Sequence, residues 1–220
     1  KFELPPRKLT INLAPANILK EGPLLDLAIS IGILQSTGQL PQTPDDFFIG
    51  ELSLSGEIKP IQGILCVCEL VKSLSIKRLF LPQDNIKEAS LMSDLPLIGV
   101  STLRDVTHAI DTKTAPTPLP SPQMSITTPT VDFNEVNGQL MVKRALQIAA
   151  AGHHNVLMIG PPGSGKTMLA KRLPTLLPPL SVNQALESFK LHSVSNAISA
   201  DTQLTLVPPF RSPHHSISSA

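Results

Sequence analysis

Residues 155–170 read Asn155-Val156-Leu157-Met158-Ile159-Gly160-Pro161-Pro162-Gly163-Ser164-Gly165-Lys166-Thr167-Met168-Leu169-Ala170. The segment from Gly160 to Thr167 satisfies G-x-x-x-x-G-K-[ST] at every fixed position, between an apolar run with strand character and a continuation with helix character. Glycines let the backbone curl so that consecutive N–H groups point inward at a β-phosphate, and the following helix offers its positive end to the same charge. Lys166 then reaches the β- and γ-phosphates, and the Thr167 hydroxyl ligates Mg²⁺. The expected cofactors are ATP and Mg²⁺, held by Gly160, Pro161, Pro162, Gly163, Ser164, Gly165, Lys166 and Thr167. A Gly/Pro turn with a chance lysine is the competing reading, and the agreement of motif and flanks weighs against it.

Upstream, residues 138–151 carry apolar side chains at Leu140, Val142, Ala145, Leu146, Ile148 and Ala149, the spacing of an amphipathic helix leading into the Asn155 run. Residues 131–220 thus read as the N-terminal part of a P-loop nucleotide-binding domain. Residues 113–130 hold Pro116, Pro118, Pro120, Pro122 and Pro129 among Thr, Ser and Lys, which favours an extended linker. Before it, residues 1–112 alternate short apolar strands with amphipathic helices, an α/β pattern. The expected strands are 9–13, 48–53, 78–81 and 97–100; the expected helices are 24–35, 64–73, 86–92 and 103–110.

Composition narrows the function. A net charge of +1 with 16% charged residues carries no global polyanion-binding signature, so a nucleic-acid surface must be a local patch. Trp and Tyr are absent and only seven Phe are present, which speaks against base-stacking platforms. No apolar stretch reaches the roughly 20 residues that span a bilayer, and no basic segment followed by an apolar core opens the chain, so a cytoplasmic protein is expected. Cys66 and Cys68 lie two apart in an apolar run, where a disulfide is strained and a metal lacks partners; both are expected to be packed thiols. The pairs His153-His154 and His214-His215 point in divergent directions, with no acidic or Cys cluster to complete a metal site. Ser181 and Gln184 have capping-box spacing. Lys171, Arg172, Lys143 and Arg144 are expected to decorate helix surfaces. The chain starts at Lys1 and stops at Ala220, 53 residues after the loop, and reads as cut at both ends.

The segments Asp132-Phe133-Asn134-Glu135-Val136-Asn137-Gly138-Gln139, Lys143-Arg144-Ala145-Leu146 and Ala149-Ala150-Ala151-Gly152-His153-His154-Asn155, with the loop itself, resemble the magnesium-chelatase-like AAA+ ATPases, and more closely the competence-associated ComM/YifB branch. The run Pro209-Phe210-Arg211-Ser212-Pro213-His214-His215 is similar to a family segment preceding the second, acidic ATPase motif. The resemblance implies an adenine-side contact for Val136, Gly138 and Gln139, against a competing role in capping and packing. It implies a homo-hexameric ring acting on DNA, including branch migration in recombination during natural transformation. Arg211 is then a candidate for a nucleic-acid phosphate in a central pore, or an ordinary solvated arginine.

The N-terminal residues resemble a Lon-protease-like domain of the ribosomal S5 domain 2-like fold. The similarity rests on Lys20-Glu21-Gly22-Pro23, Gly50-Glu51-Leu52-Ser53-Leu54-Ser55-Gly56, Pro60-Ile61-Gln62-Gly63 and Leu79-Phe80-Leu81-Pro82-Gln83-Asp84-Asn85. A Lon-type peptidase places a serine after the Gly-Pro and a lysine 43 residues later; those positions here are Leu24 and Val67, which can act neither as nucleophile nor as base. Ser30 and Lys72 do not fit that spacing. The domain is expected to be a degenerate one, without peptidase activity and incomplete at its N-terminus.

Hydrolysis also requires an acidic pair, a polar sensor and an arginine from a neighbouring subunit. No catalytic residue of that set is assignable here. The resemblance places the acidic motif just beyond Ala220, so these 220 residues alone are expected to bind nucleotide weakly or hydrolyse it poorly. Two alternatives remain open: a chelatase-type ATPase subunit for metal insertion, and a non-catalytic regulatory protein whose ATP loop controls assembly.

Overall fold

The computed structural model describes residues 2–3, 6, 8–13, 22–92, 95–116, 131–194 and 205–213. It divides into two compact units, Lys1–Pro122 with Ser188–Thr202, and Gln123–Glu187 with Gln203–Ala220.

In the first unit a 3-10 turn at Pro23–Leu25 leads into α1 (Asp26–Ser36). There follow β1 (Asp46–Phe48), β2 (Glu51–Leu52), β3 (Ile58–Lys59), α2 (Ile64–Lys72), β4 (Arg78–Pro82), α3 (Ile86–Ala89), β5 (Leu97–Val100) and α4 (Leu103–Asp111). β1, β4 and β5 form a parallel sheet in that order, with Asp46 opposite Arg78 and Leu79 opposite Leu97. β2 and β3 pair antiparallel beside it in sequence, Glu51 opposite Lys59.

Parallel strands need helical crossovers, which cover both faces and demand apolar residues in every position. β4 meets that demand, being buried from Leu79 through Pro82. Successive side chains alternate between faces. Phe80, Ile98 and Val100 join Leu27 and Ile31 of α1 and Val106 and Ile110 of α4; Leu79, Leu81 and Leu97 join Ile64, Cys68 and Val71 of α2 and Ala89 of α3. The unit is therefore a mixed α/β layer structure with its parallel sheet between helices.

Polar contacts fix the register. The Arg78 guanidinium donates to both Asp46 carboxylate oxygens, at 2.8 and 2.5 Å, and to the Ala109 carbonyl at 3.0 Å, tying β4 to β1 and α4. It also lies 5.2 Å from the Phe80 ring centre. Buried Asn85 accepts from the Ile61 N–H and donates to the Ile61 carbonyl, both at 2.9 Å, replacing a strand partner there. Thr102 and Asp105 close a reciprocal capping box at the start of α4.

The single strand expected over 48–53 divides at Gly50. Its φ is +152°, and an added Cβ would stand 2.8 Å from Ile58 Cγ2. Glycine at this point lets the chain leave the parallel sheet and enter the β2–β3 pair. The expected helix 86–92 is shorter, ending at Ala89. Residues 9–13 lie unpaired and exposed, Ile11 by 54%, where a strand was expected. An apolar run supplies strand propensity, but a strand exists only with a partner.

The two cysteines part company. Cys68 faces the core and burial pushes its thiol up to about 12, with the nearby Glu88 carboxylate adding to the effect. Cys66 is exposed, correcting the expectation of two packed thiols, because residues two apart on a helix point to different faces. Thiol reagents act on the thiolate. At pH 8 Cys66 is expected to label rapidly and Cys68 only after denaturant is added; labelling of both in the native protein, read by mass spectrometry, would contradict this packing.

The second unit holds a 3-10 turn at Phe133–Glu135, α5 (Leu140–Gly152), α6 (Lys166–Arg172), a 3-10 turn at Leu173–Leu176, and the opening residues of α7 (Val182–Val194), which is shared with the first. Its core is Phe133, Val136, Leu146 and Leu169, with Val142, Met158, Leu173 and Leu176 packed around them. Ser181 and Gln184 form the expected capping box: the Ser181 N–H donates to Gln184 Oε1 at 2.9 Å and the Gln184 N–H to Ser181 Oγ at 3.3 Å. The run 155–159 belongs to no strand among the described residues, with Leu157 and Ile159 more than four-fifths exposed.

No helix among the described residues is long and apolar enough to cross a membrane. Residues 117–130, most of the expected linker, and Lys20, Glu21, His214 and His215 lie outside the described set.

Candidate nucleotide-binding site

The loop Gly160–Gly165 turns back on itself through Gly163 at φ +77° and Gly165 at φ +85°, left-handed conformations that any side chain would strain. Gly165 then serves as N-cap of α6 and supplies no side chain to cap it. The first turn of α6 consequently has no side-chain cap, and uncapped first-turn N–H groups are donors suited to an anion.

Lys166 sits at the head of α6 with its side chain folded over the loop. Its Nζ donates to the Gly160 carbonyl at 2.8 Å, the Pro161 carbonyl at 2.8 Å and Ser164 Oγ at 3.1 Å. All three ammonium donors are thereby directed onto the loop. Three neutral acceptors hold the cation without neutralising it, so the loop presents a positive charge centred on its own curve. Phosphate oxygens, as charged acceptors, make stronger hydrogen bonds than carbonyls and can displace them. Thr167 follows at the exposed surface of the first turn, its hydroxyl open to a ligand. A hard cation such as Mg²⁺ is held by few protein oxygens together with phosphates and water, and one threonine hydroxyl beside a phosphate-binding loop fits that requirement.

The three other residues singled out from sequence divide. Val136 is 3% exposed and packs in the core against Leu169 of α6. Gly138, φ +70°, and Gln139, φ +53°, are exposed and form the left-handed entry to α5, where the Gln139 carbonyl accepts the Lys143 N–H at 2.9 Å.

Sequence reasoning missed Arg172. Far from decorating the surface, its Nε donates to the Asp132 carbonyl at 3.0 Å and its Nη2 to Glu135 Oε2 at 2.7 Å. The hydrogen bond from Arg172 holds the Glu135 carboxyl below the usual carboxylate range. The contribution of the pair is present above the usual range and is lost as pH falls on through the lowered value. A separation of 37 residues hides this pair from any local pattern. Lys143 also has a specific neighbour, with Nζ 5.8 Å from the Phe133 ring centre.

In the first unit, Leu24 and Val67 pack against the same apolar cluster, which includes Ile64 and Cys68. Among the described residues no group of three or more His, Cys, Asp and Glu is placed to hold a metal, and His153 with His154 is no exception.

Comparison with known proteins places the chain among relatives. The family described as "Magnesium chelatase, subunit ChlI" matches residues 132–220, and that described as "Subunit ChlI of Mg-chelatase" matches residues 1–85. YifB of Escherichia coli, described as uncharacterized, is 41% identical over 221 residues, covering 99% of this chain and 43% of YifB. Competence protein ComM of Haemophilus influenzae is 38% identical over 227 residues, covering 99% of this chain and 44% of ComM. DNA repair protein RadA of Streptococcus pneumoniae is 30% identical over 84 residues, 38% of this chain and 20% of RadA. The chain thus spans less than half the length of YifB and ComM. With both ChlI families matched and near end-to-end similarity to YifB and ComM, the chain belongs to the magnesium-chelatase-like ComM/YifB family.

Proposed function

We propose that the chain is part of an ATP-dependent AAA+ motor that binds ATP and Mg²⁺ through Gly160–Thr167 and acts on DNA in the cytoplasm as a homo-hexameric ring. The observation that carries the nucleotide reading is Lys166 Nζ held over the loop by Gly160, Pro161 and Ser164. In this reading Lys166 transfers from these acceptors to the β- and γ-phosphates, the loop amides cradle the β-phosphate, and Thr167 orients Mg²⁺. Mg²⁺ when bound supplies charge neutralisation across the phosphates. Gly138 and Gln139, with Val136 behind them, serve the adenine side. Residues 131–220 belong to the P-loop domain, and turnover requires in addition an acidic pair, a polar sensor and an arginine from a neighbouring subunit.

The DNA part rests on names: one relative is a competence protein and another a DNA repair protein. Branch migration during recombination suits both, as an inference from kinship. The first unit is read as a Lon-like domain serving assembly or partner contact. Leu24 and Val67, partly buried against one cluster and without a nucleophilic or basic group, argue against peptidase chemistry there.

The similarity to magnesium chelatase subunit ChlI favours a second reading, an ATPase subunit driving metal insertion into a porphyrin. ATP turnover by the intact protein separates the two. Branched DNA is expected to raise turnover several-fold, by analogy with other motors, whereas a porphyrin with its metal is expected to leave it unchanged. Stimulation by porphyrin alone would move the second reading forward, and indifference to both would favour a regulatory ATP-binding protein.

A further inference from the structure

We propose that Arg172 is a positioning residue for the nucleotide: it clamps the Asp132–Glu135 turn to α6 and so fixes the Val136–Gln139 segment relative to the phosphate loop, giving the site its preference for a base over bare polyphosphate. This rests on the nucleotide-binding reading above.

The helix α6 carries both halves of the arrangement. Lys166 and Thr167 stand at its first turn, Leu169 in its middle and Arg172 at its last residue. Leu169 packs against Phe133 and Val136, and the Arg172 guanidinium bridges the two ends of the turn, the Asp132 carbonyl and the Glu135 carboxylate. Asp132 Oδ1 in turn accepts the Asn134 N–H at 2.7 Å, so the turn is closed on itself before Arg172 grips it. Directly after it come the left-handed Gly138 and Gln139, the exposed residues that begin α5. The apolar contacts permit sliding and rotation, because they are non-directional. A planar guanidinium with two fixed acceptors does not, so Arg172 supplies the directional constraint. Glu135 is half exposed, and an ion pair in that setting adds little to folding. The geometry of the pair therefore bears on placement of the segment more than on stability.

The test measures binding of Mg·ATP and of Mg·tripolyphosphate to the intact protein by calorimetry. Arg172→Ala is expected to weaken ATP about fivefold to tenfold, and Glu135→Ala about threefold, through loss of the hydrogen bonds that place the segment, with tripolyphosphate unchanged. Glu135→Gln keeps the acceptor oxygen and is expected to bind ATP as the parent does. A merely structural role would weaken both ligands alike. That result, an undiminished ATP affinity in Arg172→Ala, or Glu135→Gln behaving like Glu135→Ala, overturns the proposal. Should Arg172→Ala not fold, Glu135→Ala at its half-exposed position still reads the clamp. Failure of the underlying reading looks different: the parent then binds neither ligand, or Lys166→Ala binds both as well as the parent.

Discussion

Lys166→Ala is expected to remove ATP turnover from the intact protein, lowering it by about a hundredfold or more, the scale of deleting one preorganised charge or donor at a reacting phosphate. The magnitude follows from what the ammonium does. It is directed onto the curve of the loop by Gly160, Pro161 and Ser164 before any ligand arrives, so little reorganisation is needed when phosphate oxygens take their place. The methyl group of alanine leaves those acceptors unpaired against an incoming polyanion and turns attraction into repulsion. A steady-state assay on folded protein checks this, and turnover within about threefold of the parent would remove Lys166 from the chemistry.

Phe80→Ala carries the largest expected effect on stability, a loss of about 3–5 kcal/mol in the first unit. Phe80 is fully buried at the centre of β4, stacked on Phe48 at 4.9 Å between ring centres, and beneath the Arg78 guanidinium. Truncation opens a cavity bounded by β1, β5, α1 and α4, elements already pinned by the Arg78–Asp46 pair and by parallel pairing. A pinned surround cannot collapse to fill it, which puts the cost in the upper range for such changes. Marginal stability means that this is a large share of the whole. Urea unfolding should show a lower midpoint at unchanged slope, and a midpoint within experimental error of the parent would show that the sheet does not depend on this ring.

The same residues show what a sequence can reveal about such a fold. β5 and α2 were legible because a strand buried on both faces reads as an unbroken apolar run, and because the α2 pattern repeats with helical period. β3 escaped notice, since two residues, Ile58 and Lys59, are too few to show any period. The break at Gly50 depends on the approach of Ile58 from another strand, which no local pattern records. Residues 9–13 and 155–159 have strand composition, yet strand structure is a property of pairs, and neither finds one among the described residues. Cys66 was misjudged because an apolar helix was taken as apolar all round, whereas its faces are 100° apart per residue.

The geometry of the candidate site was legible to a similar depth and for a similar reason. A phosphate loop is built from consecutive residues, so its chemistry is written in one line of sequence, and Lys166 stands in the structure over the loop that the motif describes. Its support is long-range. Arg172 reaches back 40 residues to the Asp132 carbonyl and 37 to Glu135, and only the opposite charges flanking the two segments could have suggested it. Val136 illustrates the reverse case: expected on the adenine side, its side chain is committed to the core.

Calorimetric titration of Mg·ATP into the intact protein beside its Lys166→Ala variant tests the central assignment most directly. The expected result is saturable binding at about one nucleotide per chain with a dissociation constant on the order of micromolar, weakened at least about tenfold in the variant. Absence of saturable binding in the parent, or equal affinity in the two proteins, would contradict the assignment of Gly160–Thr167 as the nucleotide site.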